Sequence, residues 1–322
     1  MIGALLMNPT RISVAFLVAC WVAMGCGACG HRAAESHSLD LELLQFAEKG
    51  DLASVQQFVK KGANIEAKDQ SGSTPLMIAA GNADTAMVKF LLDRGASVDT
   101  RNTEGANVLM EAAQMGRVSI VELLLQKETD QRTLNEAIFR DIEYQPMIIR
   151  QESSELSNLS EDADPFAKTA KLLLDKGANI NARNEEGATA MIEAAGFGRL
   201  AIVKMLLQRG GDLEARSNNG GTALHAAACD CALATMPDTY DVVKLLLEKG
   251  AAINAEDNEG NTPLMIASGG GVVKTDIARL LLENGANARL KNAHAETALA
   301  IAQKDKVTDV VKLLKNPPVK SH

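Results

Sequence analysis

The sequence predicts an all-α repeat solenoid, a stack of helix-turn-helix units, and three observations predict it. Apolar residues make up 46% of the 322 residues while aromatics make up only 3%, the composition of many thin helical layers rather than of one large core. A turn glycine, a capping threonine, paired alanines and paired leucines return in the same order along the chain, and self-similarity at a fixed spacing is the mark of a repeat architecture. The first and last copies carry polar side chains where the inner copies are apolar, as the ends of a stack require. Charge narrows the function. Lys and Arg total 33 against 41 Asp and Glu, a net of −8, which argues against a nucleic-acid binder with a basic patch. An apolar fraction of 46% argues equally against a disordered chain.

The chain opens with a segment that is not part of the fold. Residues 12–30 carry no charge; Arg11 precedes them, and His31, Arg32 and Glu35 end the stretch. A positive start, a short apolar run and small residues at its end form a secretory signal, placed at 1–28 and followed by a short linker at 29–38. Cys20, Cys26 and Cys29 sit where cleavage falls. The run resembles a bacterial lipoprotein signal, in which a small residue precedes the acylated Cys. Leu17-Val-Ala-Cys20 matches that box residue by residue; Ala23-Met-Gly-Cys26 leaves a more ordinary apolar length before the cut, which makes Cys26 the expected lipidation site. Plain secretion with cleavage near Ala28 and an uncleaved single-span anchor are the alternatives. The expected location is the periplasm or cell envelope, with this segment or its lipid as the only membrane contact.

The repeat follows. From Asp69 the frame reads Gly72, Thr74-Pro75-Leu76, Ala79-Ala80, Met87-Val88, Leu91-Leu92, Gly95-Ala96. It returns from Asn184 with Gly187, Thr189, Met191, Ala194-Ala195, Ile202-Val203, Leu206-Leu207, Gly210, and from Asp257 with Gly260, Thr262-Pro263-Leu264, Ala267, Leu281-Leu282, Gly285-Ala286. This frame resembles the ankyrin repeat, whose unit is roughly 33 residues long. The units run near 39–68, 69–101, 102–129, 130–183, 184–216, 217–256, 257–291 and 292–316, with a frayed tail at 317–322. The resemblance implies two helices per unit and a short β-hairpin finger between units.

Each part of the frame has a physical reason. Gly72, Gly105, Gly187, Gly220 and Gly260 fit a turn that needs positive φ. Thr74 and Thr262 cap helices whose first position is Pro75 or Pro263, where a missing N–H costs nothing. Paired alanines keep the first helix slim, and paired leucines turn the second helix's apolar side to its neighbours. One unit cannot bury that side alone, so stacking supplies the core. Glu42, Gln45, Glu48 and Lys49 cap one end; Lys304, Lys306, Lys312 and Lys315 cap the other, where Ala295 stands at the turn-glycine position.

Departures from the frame carry the functional information. Glu128-Thr129 replace the expected Gly-Ala, so the finger between units three and four is expected to be rudimentary. Extra residues fall at 141–165 in unit four, at 229–241 in unit six and around Gly269-Gly270-Gly271 in unit seven, always between first and second helix. Inserts grouped on one face often mark a binding surface. Both tyrosines, Tyr144 and Tyr240, lie in these inserts, and Tyr is enriched where proteins meet. Residues 141–164 hold seven acids against Arg150 alone. The concave face that the resemblance implies as the binding side carries Glu111, Met115, Phe139, Arg140, Glu193 and Phe197, with Glu104, Glu185 and Glu186 at the finger tips. Apolar side chains among carboxylates suit a partner with basic and apolar groups.

No nucleophile elbow, phosphate-binding loop, zinc-protease helix or dinucleotide glycine motif is present, so no catalytic residue, cofactor or metal is expected. His225 occupies the family's Thr-Pro-Leu-His position, which implies a structural role. Cys229 and Cys231 follow it on the same helix end; they are taken as ordinary thiols, with a disulfide or a metal site as alternatives. The expected function is a monomeric, non-enzymatic protein-binding module. The alternatives are a stress-protection or redox-linked envelope factor using Cys229 and Cys231, and an inhibitor or immunity-like protein that masks a basic partner.

Overall fold

The computed structural model describes residues 29–127, 129–143, 164–229, 239–269 and 272–318. Among them are sixteen helices and no strand, arranged as eight consecutive pairs. The first helices are Cys29–Glu48, Pro75–Gly81, Val108–Gln114, Gln131–Glu143, Ala190–Gly196, Ala223–Cys229, Pro263–Ser268 and Ala298–Lys304. The second helices are Leu52–Lys60, Thr85–Asp93, Val118–Leu124, Pro165–Asp175, Leu200–Gln208, Thr239–Glu248, Val272–Glu283 and Thr308–Lys315. Each first helix packs on the first helix of the next unit, and from Thr85–Asp93 onward the second helices do the same. The result is an all-helical solenoid of two parallel rows.

The residues that build the rows are those of the frame. Ala79, Ala112, Ala194, Ala227 and Ala267 are wholly buried, where a methyl group is the largest side chain that lets neighbouring first helices approach. Leu91, Leu124, Leu206, Leu246 and Leu281 are buried on the second row. First helices start where a side chain accepts from the third residue on: Thr74 Oγ1 from Met77 N–H at 3.4 Å, Asn107 Oδ1 from Met110 N–H at 3.1 Å and Thr262 Oγ1 from Met265 N–H at 3.3 Å. Such caps contribute about 1 kcal/mol each. Glu42, Gln45, Glu48 and Lys49 in the first unit and Lys304, Lys306, Lys312 and Lys315 in the last are exposed, and Ala295 adopts φ +59° at the turn that glycine fills elsewhere.

The fingers differ from expectation. A single isolated bridge, Arg183 to Thr189, is the nearest approach to a hairpin among the described residues. The side chain that opens each finger takes the bonds a partner strand would otherwise accept. Asn184 Oδ1 accepts from Glu186 and Ala188 N–H, Asp257 Oδ1 from Glu259 and Asn261 N–H, and Asn292 Oδ1 from His294 and Glu296 N–H. Backbone bonds then join tip to tip, Asn218 N–H to Glu186 O at 2.9 Å and Asn258 N–H to Asn219 O at 2.9 Å.

Three boundaries also shift. Residues 29–38, expected as a linker, are the start of the first helix. Asp141, expected to begin an insertion, is a buried residue of a helix that runs on to Glu143, and the second helix of unit four starts at Pro165 under an Asp164 cap. Tyr240 and Asp241, expected in the unit-six insertion, belong to the first turn of Thr239–Glu248. In each case the helix extends further than the repeat frame alone indicates. No helix among the described residues is long and apolar enough to cross a membrane.

Candidate protein-binding groove

In six of the eight units the first helix carries a half-buried residue at the same position. Counted from the cap, it is the fourth residue of the helix: Ile78, Glu111, Glu193, Ala226, Ile266 and Ile301. All six are half-buried, whereas the residues after them in the helix, such as Ala79, Ala194 and Ala267, are fully buried. Glu193, Ala226 and Ile266 of this row line a groove shared with the finger-tip residues Glu185, Glu186, Asn218 and Asn219. The row's residues vary from carboxylate to aliphatic while the frame around them stays constant. Variation at a packed position costs stability; at a half-exposed one it alters the surface.

At unit six the row steps inward. Ala226 has no side chain beyond its methyl, and its neighbour in unit five, Gly196, has none; a Cβ placed on Gly196 would stand 3.4 Å from the Ala226 Cβ. Beside these two small residues lies a cavity of about 630 Å³. Its apolar lining comes from Ala188, Ile192, Phe197 and Ile266, and its acidic lining from Glu185, Glu186, Glu193 and Asp257. Among the described residues no lysine or arginine lines it. The Asn184 amide donates to Glu193 Oε1 at 2.9 Å, which fixes that carboxylate against its own finger. Asn102 treats Glu111 the same way at 3.0 Å. Burial, and then the nearby Glu104 carboxylate, raise the Glu111 carboxyl above its ordinary value, opposed by Arg140 and the Asn102 bond.

The expected binding residues divide. Glu193 and Phe197 meet at the cavity. Glu111, Met115 and Arg140 are half-buried at units three and four, away from the cavity lining, and Arg140 Nη2 donates to Glu104 O at 3.2 Å. Phe139 is buried, 7% exposed, and is not among the residues that line the cavity. Tyr240 is exposed but stands on a second helix and takes no part in the cavity lining. Tyr144 and Cys26 lie outside the described residues. Sequence reasoning passed over the unit-six and unit-seven wall, Asn218, Asn219, Asp257 and Ile266. The available signal was the fourth helix position read down the units, where Ala226 stands out as small between Glu193 and Ile266.

His225 has the structural role expected of it. Its Nδ1 accepts from Thr222 N–H at 3.2 Å, with Thr222 Oγ1 at 3.0 Å, and its Nε2 lies 3.0 Å from Asn261 O in the next unit. Burial lowers its pKa, outweighing the Asn261 bond. Cys229 corrects an expectation: it is disulfide-bonded, not an ordinary thiol. Cys231 lies outside the described residues, and among those described no group of three or more His, Cys, Asp or Glu residues is placed to hold a metal ion.

Comparison with known proteins agrees with this architecture. A family model of ankyrin repeats matches the chain in three copies, over residues 43–135, 162–257 and 231–320. Two ankyrin repeat proteins of Rickettsia felis are each 40% identical to it over 48 residues, which is 15% of this chain and 76% and 73% of theirs.

Proposed function

We propose, on the premise that the chain belongs to the ankyrin-repeat family, that it is a non-enzymatic, monomeric binding protein of the cell envelope whose groove holds a partner protein. Ankyrin repeats are generally protein–protein interaction modules, and a scaffold by itself names no partner. The observation that carries the reading is the half-buried row from Ile78 to Ile301, where side chains change from unit to unit on an otherwise constant frame. A stacked scaffold loses little freedom on binding, so modest contacts along such a groove add up.

Export is part of the proposal. Its support is the uncharged 12–30 segment after Arg11 together with the Cys229 disulfide, since disulfides persist in oxidising compartments. Lipid attachment is assigned to Cys26; radiolabelled palmitate incorporated by the wild type and lost in Cys26→Ser is the expected result, and label retained in that variant contradicts the assignment.

The binding reading is tested by affinity capture from the envelope fraction. The wild type is compared with Glu193→Ala/Phe197→Ala and with a chain lacking residues 144–163. Loss of the captured protein only in the double substitution supports the groove. Loss only in the deletion moves the interface to the insertion. The Cys229 disulfide favours one second reading, a thiol-linked envelope factor. Protection by the wild type that disappears in Cys229→Ser, without change in capture, would select it.

A further inference from the structure

We propose that the cavity over Ala226 is a subsite for one basic side chain of the partner, an arginine presented by an extended segment; this rests on the reading of the groove as the binding face. The cavity lies over two adjacent small residues, Gly196 and Ala226, and its volume of about 630 Å³ falls within the size range of ligand sites, roughly 300–1,000 Å³. What it takes is set by its walls. Phe197, Ile192 and Ile266 form an apolar side, against which the methylene stem of a long side chain can lie. Glu185 and Glu186 are exposed at the unit-five finger tip, and Glu193 and Asp257 close the rim.

Among the common side chains, a long cation is the one that matches both walls. An aliphatic side chain would remove water from the carboxylates with nothing in return, and an acidic one is repelled. The concave, carboxylate-lined shape concentrates the negative potential. Among the described residues no lysine or arginine lines the cavity, and burial lowers the His225 pKa, which disfavours a positive charge there. Arginine is chosen over lysine because its planar fork can bridge two carboxylates and stack on the Phe197 ring.

The test uses the full chain and methyl NMR, which detects weak binding. Acetyl-Leu-Arg-Leu-amide is titrated in, and in parallel its citrulline counterpart, which keeps the shape and removes the charge. The expected result is shifts at the Ala226, Ile192 and Ile266 methyls with the arginine peptide and at least a tenfold weaker response with citrulline. Ala226→Leu, which puts a bulky side chain into the cavity at a position that is Ile in units two, seven and eight, weakens the response at least tenfold. Glu185→Gln/Glu186→Gln, at an exposed tip where folding is not in question, weakens it several-fold. Equal responses to the two peptides, shifts elsewhere only, or unchanged binding by both variants overturns the subsite. If envelope capture is lost in Glu193→Ala/Phe197→Ala while these peptides fail, the groove stands and the basic subsite alone is rejected. If capture is insensitive to that double substitution, the groove reading itself has failed.

Discussion

Asn184 and Glu193, nine positions apart, are joined by a 2.9 Å hydrogen bond from the finger to the first helix of unit five. The bond orients a groove carboxylate before any partner arrives, and groups already in place do not have to be ordered on binding. Glu193→Gln keeps an acceptor for Asn184 and removes only the charge. Its unfolding midpoint is expected to stay within the change of about 0.5 kcal/mol typical of surface substitutions, while the affinity for the captured partner falls. Calorimetric unfolding beside a binding isotherm separates the two; a variant that binds like wild type speaks against an electrostatic role for Glu193.

Asp141 is wholly buried in the first helix of unit four, and among the described residues neither carboxylate oxygen has a hydrogen-bond partner. Burial holds its pKa well above the ordinary value, with Arg199 opposing and Asp164 adding to the rise. The folded state therefore keeps a proton that the unfolded chain releases above about pH 4. The stability that Asp141 contributes is full below that pH and is lost as pH rises through the raised folded value. Asp141→Leu is expected to raise stability at neutral pH by about 1–3 kcal/mol, the cost of a buried unmet polar group. The gain should shrink towards pH 4. Urea midpoints at three pH values check it, and a variant less stable than wild type at pH 7 contradicts the orphaned carboxylate.

His225 titrates in the opposite sense. Its folded pKa is lowered, so the unfolded chain takes up a proton first, below about pH 6.5. Stability is present above that value and is lost as pH falls through the window down to the lowered folded value. His225→Ala removes the bridge to Asn261 O and the contact with Thr222. A loss of about 1–3 kcal/mol is expected for buried groups left unpaired, along with loss of the acid sensitivity. Hydrogen exchange at the junction of units six and seven reads the effect locally.

Two turn substitutions should act with opposite sign. Gly220 has φ +81°, and a Cβ there would meet the backbone nitrogen of Asn258 at 2.7 Å. Gly220→Ala thus strains the turn by about 1–2 kcal/mol and also pushes apart the bonded finger tips. Ala295 already bears a left-handed conformation at φ +59°; Ala295→Gly relieves it and is expected to stabilise unit eight by up to about 1 kcal/mol. Thermal midpoints of the two variants check the pair, and a stabilised Gly220→Ala would mean that the finger yields without cost.

The repeat was legible because each of its residues answers to a local rule. Thr74 caps, Ala79 fits between helices, Leu91 faces the second row, and these same rules recur from unit to unit. The cavity was not legible, because Ala226 reads as one more alanine in a helix of alanines until its neighbours in space, Gly196 and Ile266, are known. Asp141 and Tyr240 were placed in loops because an insertion hides where a helix stops; Asp141 falls inside a helix that runs on to Glu143, and Tyr240 in the first turn of Thr239–Glu248. Phe139 and Phe197 look alike on paper, and only stacking decides that the first is buried and the second lines the groove. The hairpin fingers were overdrawn because Asn184, Asp257 and Asn292 satisfy locally the bonds that strands would have shared.

The most direct measurement is affinity capture from the envelope with wild type, Glu193→Ala/Phe197→Ala and the chain lacking residues 144–163, side by side. A protein retained by wild type and by the deletion, and lost from the double substitution, is the predicted result. The same protein retained by the double substitution and lost from the deletion would contradict the groove as the working surface.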